Sequence, residues 1–307
     1  MKPFAIAGIQ APVSSHQDNV AAMLHRLDVC MAKFPWVQMV LFSELAAHGP
    51  LPTRPEPIGG PTEIAFQNAA AKHGIWLLPG SYFEKTAGGM LHNTAPVIDP
   101  AGKVVRRYRK MFPFLPYEHG IEYGTEFCVF DVPEAGRFGV SICYDIWFPE
   151  TTRTLTALGA EVLLHPVLTN TVDRNVELSM ARATAAQFQL YVFDINGLGA
   201  GGVGRSCVID PAGTVMHQAG AAEEIVPIEI NFEFVRRQRE IGLHGLGQPL
   251  KSFRDRRADF TVYDRTRDGT HYWDYLGPLE VQRRGGQQLA PVPGHPACPT
   301  GGDPVDS

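Results

Sequence analysis

The phrase VIDPAGKVV at positions 97–105 returns almost unchanged as VIDPAGTVM at 208–216, 111 residues downstream. Asp-Pro-Ala-Gly between two β-rich arms is turn chemistry, because proline presets φ and glycine tolerates φ > 0. Each copy predicts a hairpin, one within Leu91–Arg109 and one within Val203–Gln218. Two readings are open at this point. Two independent hairpins can share common turn residues, or the chain holds two related halves, each a sheet with helices on one face. Strand-like and helix-like segments alternate along the whole chain, which favours the second reading and a layered α/β fold. The expected architecture is a four-layer α-β-β-α sandwich of two related halves packed sheet to sheet.

In the first half, Phe4–Gln10 reads as a strand, Val37–Ser43 as a second ending at Glu44, and Ile75–Phe83 as a third. Between them, Val20, Leu24, Leu27, Met31 and Phe34 follow the 4-3-4-3 spacing of an amphipathic helix. Pro61–His73 predicts another helix, stopped by Gly74. In the second half, strands are expected over Val129–Val132, Phe138–Ile142, Glu161–Val167, Leu190–Ile195 and Ile225–Ile230. Helices are expected over Thr151–Gly159, Val176–Phe188 and Glu233–Ile241. One domain is predicted over 1–242. From 243 to 307 these signals fade, and after Arg284 the text is rich in glycine and proline, a loose tail or an arm laid over a partner subunit.

The balance of 27 basic and 32 acidic residues, with no basic run, predicts neither a nucleic-acid nor a membrane partner. No stretch approaches the ~18 uninterrupted apolar residues of a spanning helix, and the first ten residues alternate like a strand rather than a signal peptide. A cytoplasmic protein is expected. The five cysteines (Cys30, Cys128, Cys143, Cys207, Cys298) are odd in number and form no C-x-x-C pair. That argues against a disulfide framework and a structural zinc site, and no metal is expected.

Cys143 stands apart from the other four. GRFGVSICYDIWFPE runs a strand into the thiol, bends through Tyr144 and Asp145, and opens a helix near Phe148-Pro149-Glu150. Backbone N–H groups at such a corner favour a thiolate and can hold an oxyanion formed beside it. A nucleophile also needs a base and a cation. The apolar strand in MVLFSELAAHG ends at Glu44, and the strand in VVRRYRKMFPF ends at Lys110. Read singly, each of these is equally a solvated surface residue.

Together these pieces resemble the nitrilase, or carbon–nitrogen hydrolase, superfamily. The matching phrases are AGIQAPV, FSE with Glu44, YRKMFPF with Lys110, GVSICYDIWFPE with Cys143, ARATAAQFQLYVFDINGLG and GRSCVIDPAG, in the family's order over Lys2–Gly242. The resemblance implies Cys143 as nucleophile, Glu44 as general base and Lys110 as the cation for the tetrahedral intermediate. Amidase-like members carry a second glutamate eight residues after the lysine, and that position is Glu118. Its implied role is to orient the lysine and the leaving nitrogen. The implied reaction is hydrolysis of a small, mostly uncharged carboxamide through a thioester, with no cofactor. Tyr144 supplies an oxyanion N–H, and Trp147, Phe112, Phe114, Tyr117 and His119 are candidate pocket residues. Homodimers are common in the superfamily, so at least a homodimer is expected.

Departures from the family patterns narrow the substrate. Nitrilases proper usually read Cys-Trp-Glu at the nucleophile and aliphatic amidases Cys-Asp-Asp, whereas this chain has Cys143-Tyr144-Asp145. N-carbamoyl hydrolases often place arginine just beyond the cysteine, where Ile146 and Trp147 stand. Nitrile or N-carbamoyl hydrolysis is the alternative, and a catalytically silent binding protein a third reading. GLGAGG at 197–202 matches a dinucleotide fingerprint in letters, but a β-rich segment follows where a helix is required, so it reads as a flexible loop near the pocket. His48, His119 and His165 carry no flanking pattern that marks a Cys-His dyad.

Overall fold

The computed structural model describes residues 3–264, 276 and 279–281. One compact unit comprises the described residues up to Pro113 with Gly120–Arg254, and a second comprises Phe114–His119 with the described residues after Arg254. The tail beyond 284, and with it the expected crossing to a partner, lies outside the described residues.

The first unit runs β1 (Phe4–Gln10), β2 (Pro12–Val13), α1 (Val20–Lys33), β3 (Met39–Phe42), α2 (Pro61–His73), β4 (Trp76–Leu78), β5 (Tyr82–Lys85), β6 (Leu91–Ile98) and β7 (Val104–Arg109). It continues through β8 (Cys128–Val132), β9 (Gly136–Val140), α3 (Pro149–Ala157), β10 (Val162–Val167), α4 (Arg174–Phe188) and β11 (Tyr191–Asn196). It ends with β12 (Leu198–Gly199), β13 (Gly202–Val203), β14 (Cys207–Ile209), β15 (Val215–Gln218), β16 (Glu224–Ile230), α5 (Phe232–Ile241) and α6 (Pro249–Arg254).

The two-half reading is visible in the strand orders. One sheet runs β16-β1-β3-β4-β6, with β5 and β7 both on β6, and the other runs β8-β9-β10-β11-β14-β15. Each has an antiparallel edge strand, three parallel strands, then an antiparallel hairpin. The repeated turns match in detail: Asp99 Oδ1 accepts from the N–H groups of Ala101 and Lys103, and Asp210 Oδ1 from those of Ala212 and Thr214.

Period-two alternation assigns the layers. On β1, Ala5, Ala7 and Ile9 pack with Leu27, Cys30 and Phe66 of α1 and α2, while Phe4 and Ile6 meet Phe138, Leu164 and Phe193 of the other sheet. Leu155, Ala181, Ala185 and Phe188 of α3 and α4 cover the far face. The layers are therefore α-β-β-α. Gly8 shows how closely the sheets approach, since a Cβ there would stand 2.2 Å from Ile195 Cδ1.

Some elements differ from expectation. The strand expected over 75–83 is two strands broken at Pro79-Gly80, where Gly80 has φ +77° and a Cβ would lie 1.8 Å from the Ser43 carbonyl oxygen. That oxygen belongs to backbone and cannot swing away. Gly80→Ala is expected to cost about 3 kcal/mol or more and to reduce activity through displacement of Glu44, the next residue. Thermal unfolding and turnover of the variant check both. The fading signals after 243 still include α6, whose Phe253 and the Phe188 of α4 flank the Arg153 guanidinium at 4.2 and 5.0 Å. GLGAGG is not a loose loop but the β12–β13 hairpin, tied to β2 and to Thr169.

Candidate active site

Three strand ends supply the chemistry. β3 ends just before Glu44, β7 just before Lys110, and β9 leads through Ser141 and Ile142 to Cys143. All three side chains are buried, at 2%, 2% and 8% exposure. The Lys110 Nζ donates to Glu44 Oε1 at 2.8 Å, and Asn93 Nδ2 donates to the same oxygen at 2.8 Å. A carboxylate this deep is tolerated because a cation and an amide meet it.

Burial pushes the Cys143 thiol well above its usual range, and the charge of Glu44 adds to the effect while that of Lys110 opposes it. At rest Cys143 is thus a protonated thiol. Its Sγ donates to the Leu168 carbonyl at 3.7 Å. Cys143 itself has φ +45°, the left-handed region that a non-glycine residue occupies at a cost of about 1–3 kcal/mol.

The helix opens at Phe148-Pro149-Glu150 as expected, and a short turn separates it from the thiol. Cys143–Trp147 form one tight 3₁₀ turn, and α3 begins only at Pro149, where proline's missing N–H costs nothing. Asp145 holds this turn. Its Oδ2 accepts from the Tyr108 hydroxyl at 2.7 Å and from the Ile142 N–H at 2.8 Å, and its Oδ1 accepts from the Phe112 N–H at 2.9 Å. One fully buried carboxylate thereby joins the segment carrying Lys110 to the segment carrying Cys143. Burial raises its pKa to about 6 despite these donors.

Aromatic rings surround the same turn. Phe112 stacks on Phe148 at 3.7 Å between centroids, Tyr144 meets Phe148 edge-on at 5.2 Å, and Trp147 lies 5.8 Å from Tyr144. Of the pocket candidates, Tyr144, Trp147 and Phe112 thus gather at the Cys143 turn. Glu118, Phe114, Tyr117 and His119 belong to the second unit. Within their loop, Glu118 Oε2 accepts from the Phe114 N–H at 2.5 Å, and the rings of Phe114 and Tyr117 stack at 5.1 Å.

Two histidines weighed as dyad partners engage other groups. His48 Nε2 meets Glu56 at 3.1 Å and Thr62 at 2.9 Å. His165 Nδ1 pairs with the Ser141 hydroxyl at 2.8 Å, and burial lowers its pKa to about 4, so it is neutral. Among the described residues, no cluster of three or more His, Cys, Asp or Glu could hold a metal, and no helix is long and apolar enough to cross a membrane.

Sequence reasoning missed Asn93, Tyr108 and the role of Asp145. Their only signals were a polar residue in a buried strand (Asn93 in LHNTAPVI), a tyrosine two residues before the lysine, and an aspartate two after the cysteine.

Two packed sheets covered by helices on their outer faces, with a thiol, a carboxylate and an ammonium at their strand ends, define the class of α-β-β-α sandwich proteins. The carbon–nitrogen hydrolase family model matches residues 5–240, and the chain belongs to that family. It is a hydrolase of carbon–nitrogen bonds. The chain is 31% identical over 205 residues to an omega-amidase of Xenopus laevis, spanning 62% of this chain and 73% of that one. It is 27% identical over 214 residues to a formamidase of Pseudomonas syringae pv. tomato, covering 67% of this chain and 63% of the relative's length. Saccharomyces cerevisiae Nit3, a nitrilase-superfamily member of known structure, superposes with a TM-score of 0.71 at 25% identity, covering 78% of this chain and 94% of Nit3. A carbon–nitrogen hydrolase from Helicobacter pylori gives 0.73 at 24% identity over 86% and 99%, a likeness of fold.

Proposed function

We propose that the protein hydrolyses a small, mostly uncharged carboxamide to the carboxylic acid and ammonia through a thioester on Cys143. The observation that carries this reading is the buried Glu44–Lys110 pair at 2.8 Å, with both charges acting on the thiol. Glu44 accepts the thiol proton while Sγ attacks the carbonyl carbon. The displaced π electrons form an oxyanion, which Lys110 and the Tyr144 N–H stabilise. Collapse breaks the C–N bond as the protonated Glu44 gives its proton to the leaving nitrogen. Water then gives a proton to Glu44, attacks the thioester, and the acid departs as the thiol is restored. The balance is amide plus water to acid plus ammonia.

Relatives named as omega-amidase, formamidase and deaminated glutathione amidase support an amide, and a relative named as nitrilase makes nitrile hydrolysis the second reading. Ile146 and Trp147, in the loop where carbamoyl hydrolases often carry arginine, favour an acyl group without a carboxylate.

The test is ammonia release across a panel of short-chain amides, the matching nitriles and N-carbamoyl compounds, with iodoacetamide-treated enzyme as blank. The expected result is ammonia from neutral amides, little from nitriles, and an acyl adduct on Cys143 in quenched samples. Turnover of amides without any adduct at Cys143 would sink the mechanism, and nitrile-only turnover the substrate class.

A further inference from the structure

A second acid–base cluster lies behind the nucleophile, on α4. Arg174 is 1% exposed, and its Nη2 donates to Asp194 Oδ1 at 2.5 Å and to the Arg205 carbonyl at 2.8 Å. Its Nη1 reaches Glu177 Oε2 at 3.4 Å, and the same oxygen accepts the Thr169 hydroxyl at 2.6 Å. Glu177 is 5% exposed. A buried ion group of this kind is costly to assemble unless it fixes something.

The segment after β10 is what it fixes. Asn196 clamps Thr169 from the other side: its Oδ1 accepts the Thr169 N–H and its Nδ2 donates to the Thr169 carbonyl, both at 3.0 Å. Thr169 is therefore held at backbone by Asn196 and at side chain by Glu177. The residues just before it touch the catalytic groups. The Leu168 carbonyl accepts from the Cys143 thiol, and the Val167 carbonyl accepts the Glu44 N–H at 3.2 Å. A shift of this segment moves base and nucleophile together.

We propose that Glu177, seated on Arg174, is a positioning residue for the nucleophile: through the Thr169 hydroxyl it keeps the Leu168 carbonyl on the Cys143 thiol. Its negative charge also opposes loss of the thiol proton. The charges that act on the thiol are those of Glu44 from the end of β3, Lys110 from the end of β7 and Glu177 from α4. Two carboxylates thus act against one ammonium. The thiolate forms only when a proton acceptor beside it is poised, which keeps the resting thiol poorly reactive toward alkylation and oxidation. The inference rests on Cys143 being the nucleophile.

Glu177→Gln and Thr169→Val separate charge from tether. In Glu177→Gln the new amide still accepts the Thr169 hydroxyl but carries no charge. The pH profile of Cys143 alkylation by iodoacetamide should therefore move to lower pH, with a rate at pH 7 raised about threefold to tenfold. Thr169→Val keeps the charge and loses the tether. Its alkylation profile should stay in place while kcat on a carboxamide falls about tenfold or more with KM little changed, and Thr169→Ser should restore kcat. An alkylation profile that does not move in Glu177→Gln, or full kcat in Thr169→Val, overturns the inference. Glu177→Gln adds no bulk, and thermal unfolding of each variant identifies one that fails to fold, in which case the Thr169 pair decides. Alkylation is read by mass at Cys143 and needs no substrate, so failure of the amidase reading would show separately, as wild-type enzyme that is alkylated yet releases no ammonia.

Discussion

Lys110→Met leaves the enzyme without measurable turnover and about 3–5 kcal/mol less stable, the cost of stranding one partner of a buried ion pair. Lys110 and Glu44 are each 2% exposed and lie 2.8 Å apart, so removing the ammonium leaves the carboxylate in the interior with the Asn93 amide still donating to it. Two losses then coincide in the proposed reaction. The oxyanion loses its cation, worth about 10²–10³ in rate, and Glu44 takes up a proton to escape its stranded charge, so it no longer accepts one from the thiol. Adding Glu44→Gln to Lys110→Met neutralises the stranded group and should return much of the stability, while activity stays absent. Denaturant titration and ammonia release read the two effects. A single variant as stable as wild type would mean that the pair is not a buried ion pair, and recovery of activity in the double variant would mean that neither group carries the chemistry.

What could be read in the sequence was local. Gly74 stops α2 in the left-handed conformation, Pro149 sits at the first position of α3, and the two Asp-Pro-Ala-Gly turns form the same hydrogen bonds, because each depends on a few adjacent residues. Strand ends were legible too, since an apolar run that stops at a charge marks where the chain leaves the core. The side chains that gather there were not. Asn93 reaches Glu44 across 49 residues, Phe112 reaches Asp145 across 33, and Glu177 reaches Thr169 from a helix whose apolar spacing gave it no special place. Such partners are fixed by sheet register and by the packing of one half on the other, neither of which a linear pattern records. The break at Gly80 was a milder failure: glycine within a strand warns of a close backbone approach, and the Ser43 carbonyl is the approach.

Asp145 is where that hidden register can be tested most sharply. Asp145→Ala leaves the Tyr108 hydroxyl and the N–H groups of Ile142 and Phe112 without their acceptor, at about 1–3 kcal/mol for each group that stays buried and unpaired. The strained Cys143 turn and the Lys110 segment then lose their common anchor, and misplacement by about 1 Å costs on the order of 10²-fold in rate. Stability and kcat should therefore fall together. The pH dependence separates anchor from mere packing. The carboxyl titrates at about 6 in the fold, above the 3.8 of the free side chain. A raised folded pKa means that its stabilising contribution is present below pH 3.8 and is lost as pH rises through 6. Acidification through pH 6 therefore does not unfold the protein on account of Asp145. It does convert an acceptor of three hydrogen bonds into a group carrying a proton of its own, so kcat/KM should drop below about pH 6 while the unfolding temperature shows no loss from this group. The Tyr108 hydroxyl is among the donors that hold the value down. Tyr108→Phe removes it, and the acid limb of the kcat/KM profile should move to higher pH at a stability cost of about 1 kcal/mol. An acid limb that stays fixed in Tyr108→Phe would assign the limb to another group and leave Asp145 a packing residue.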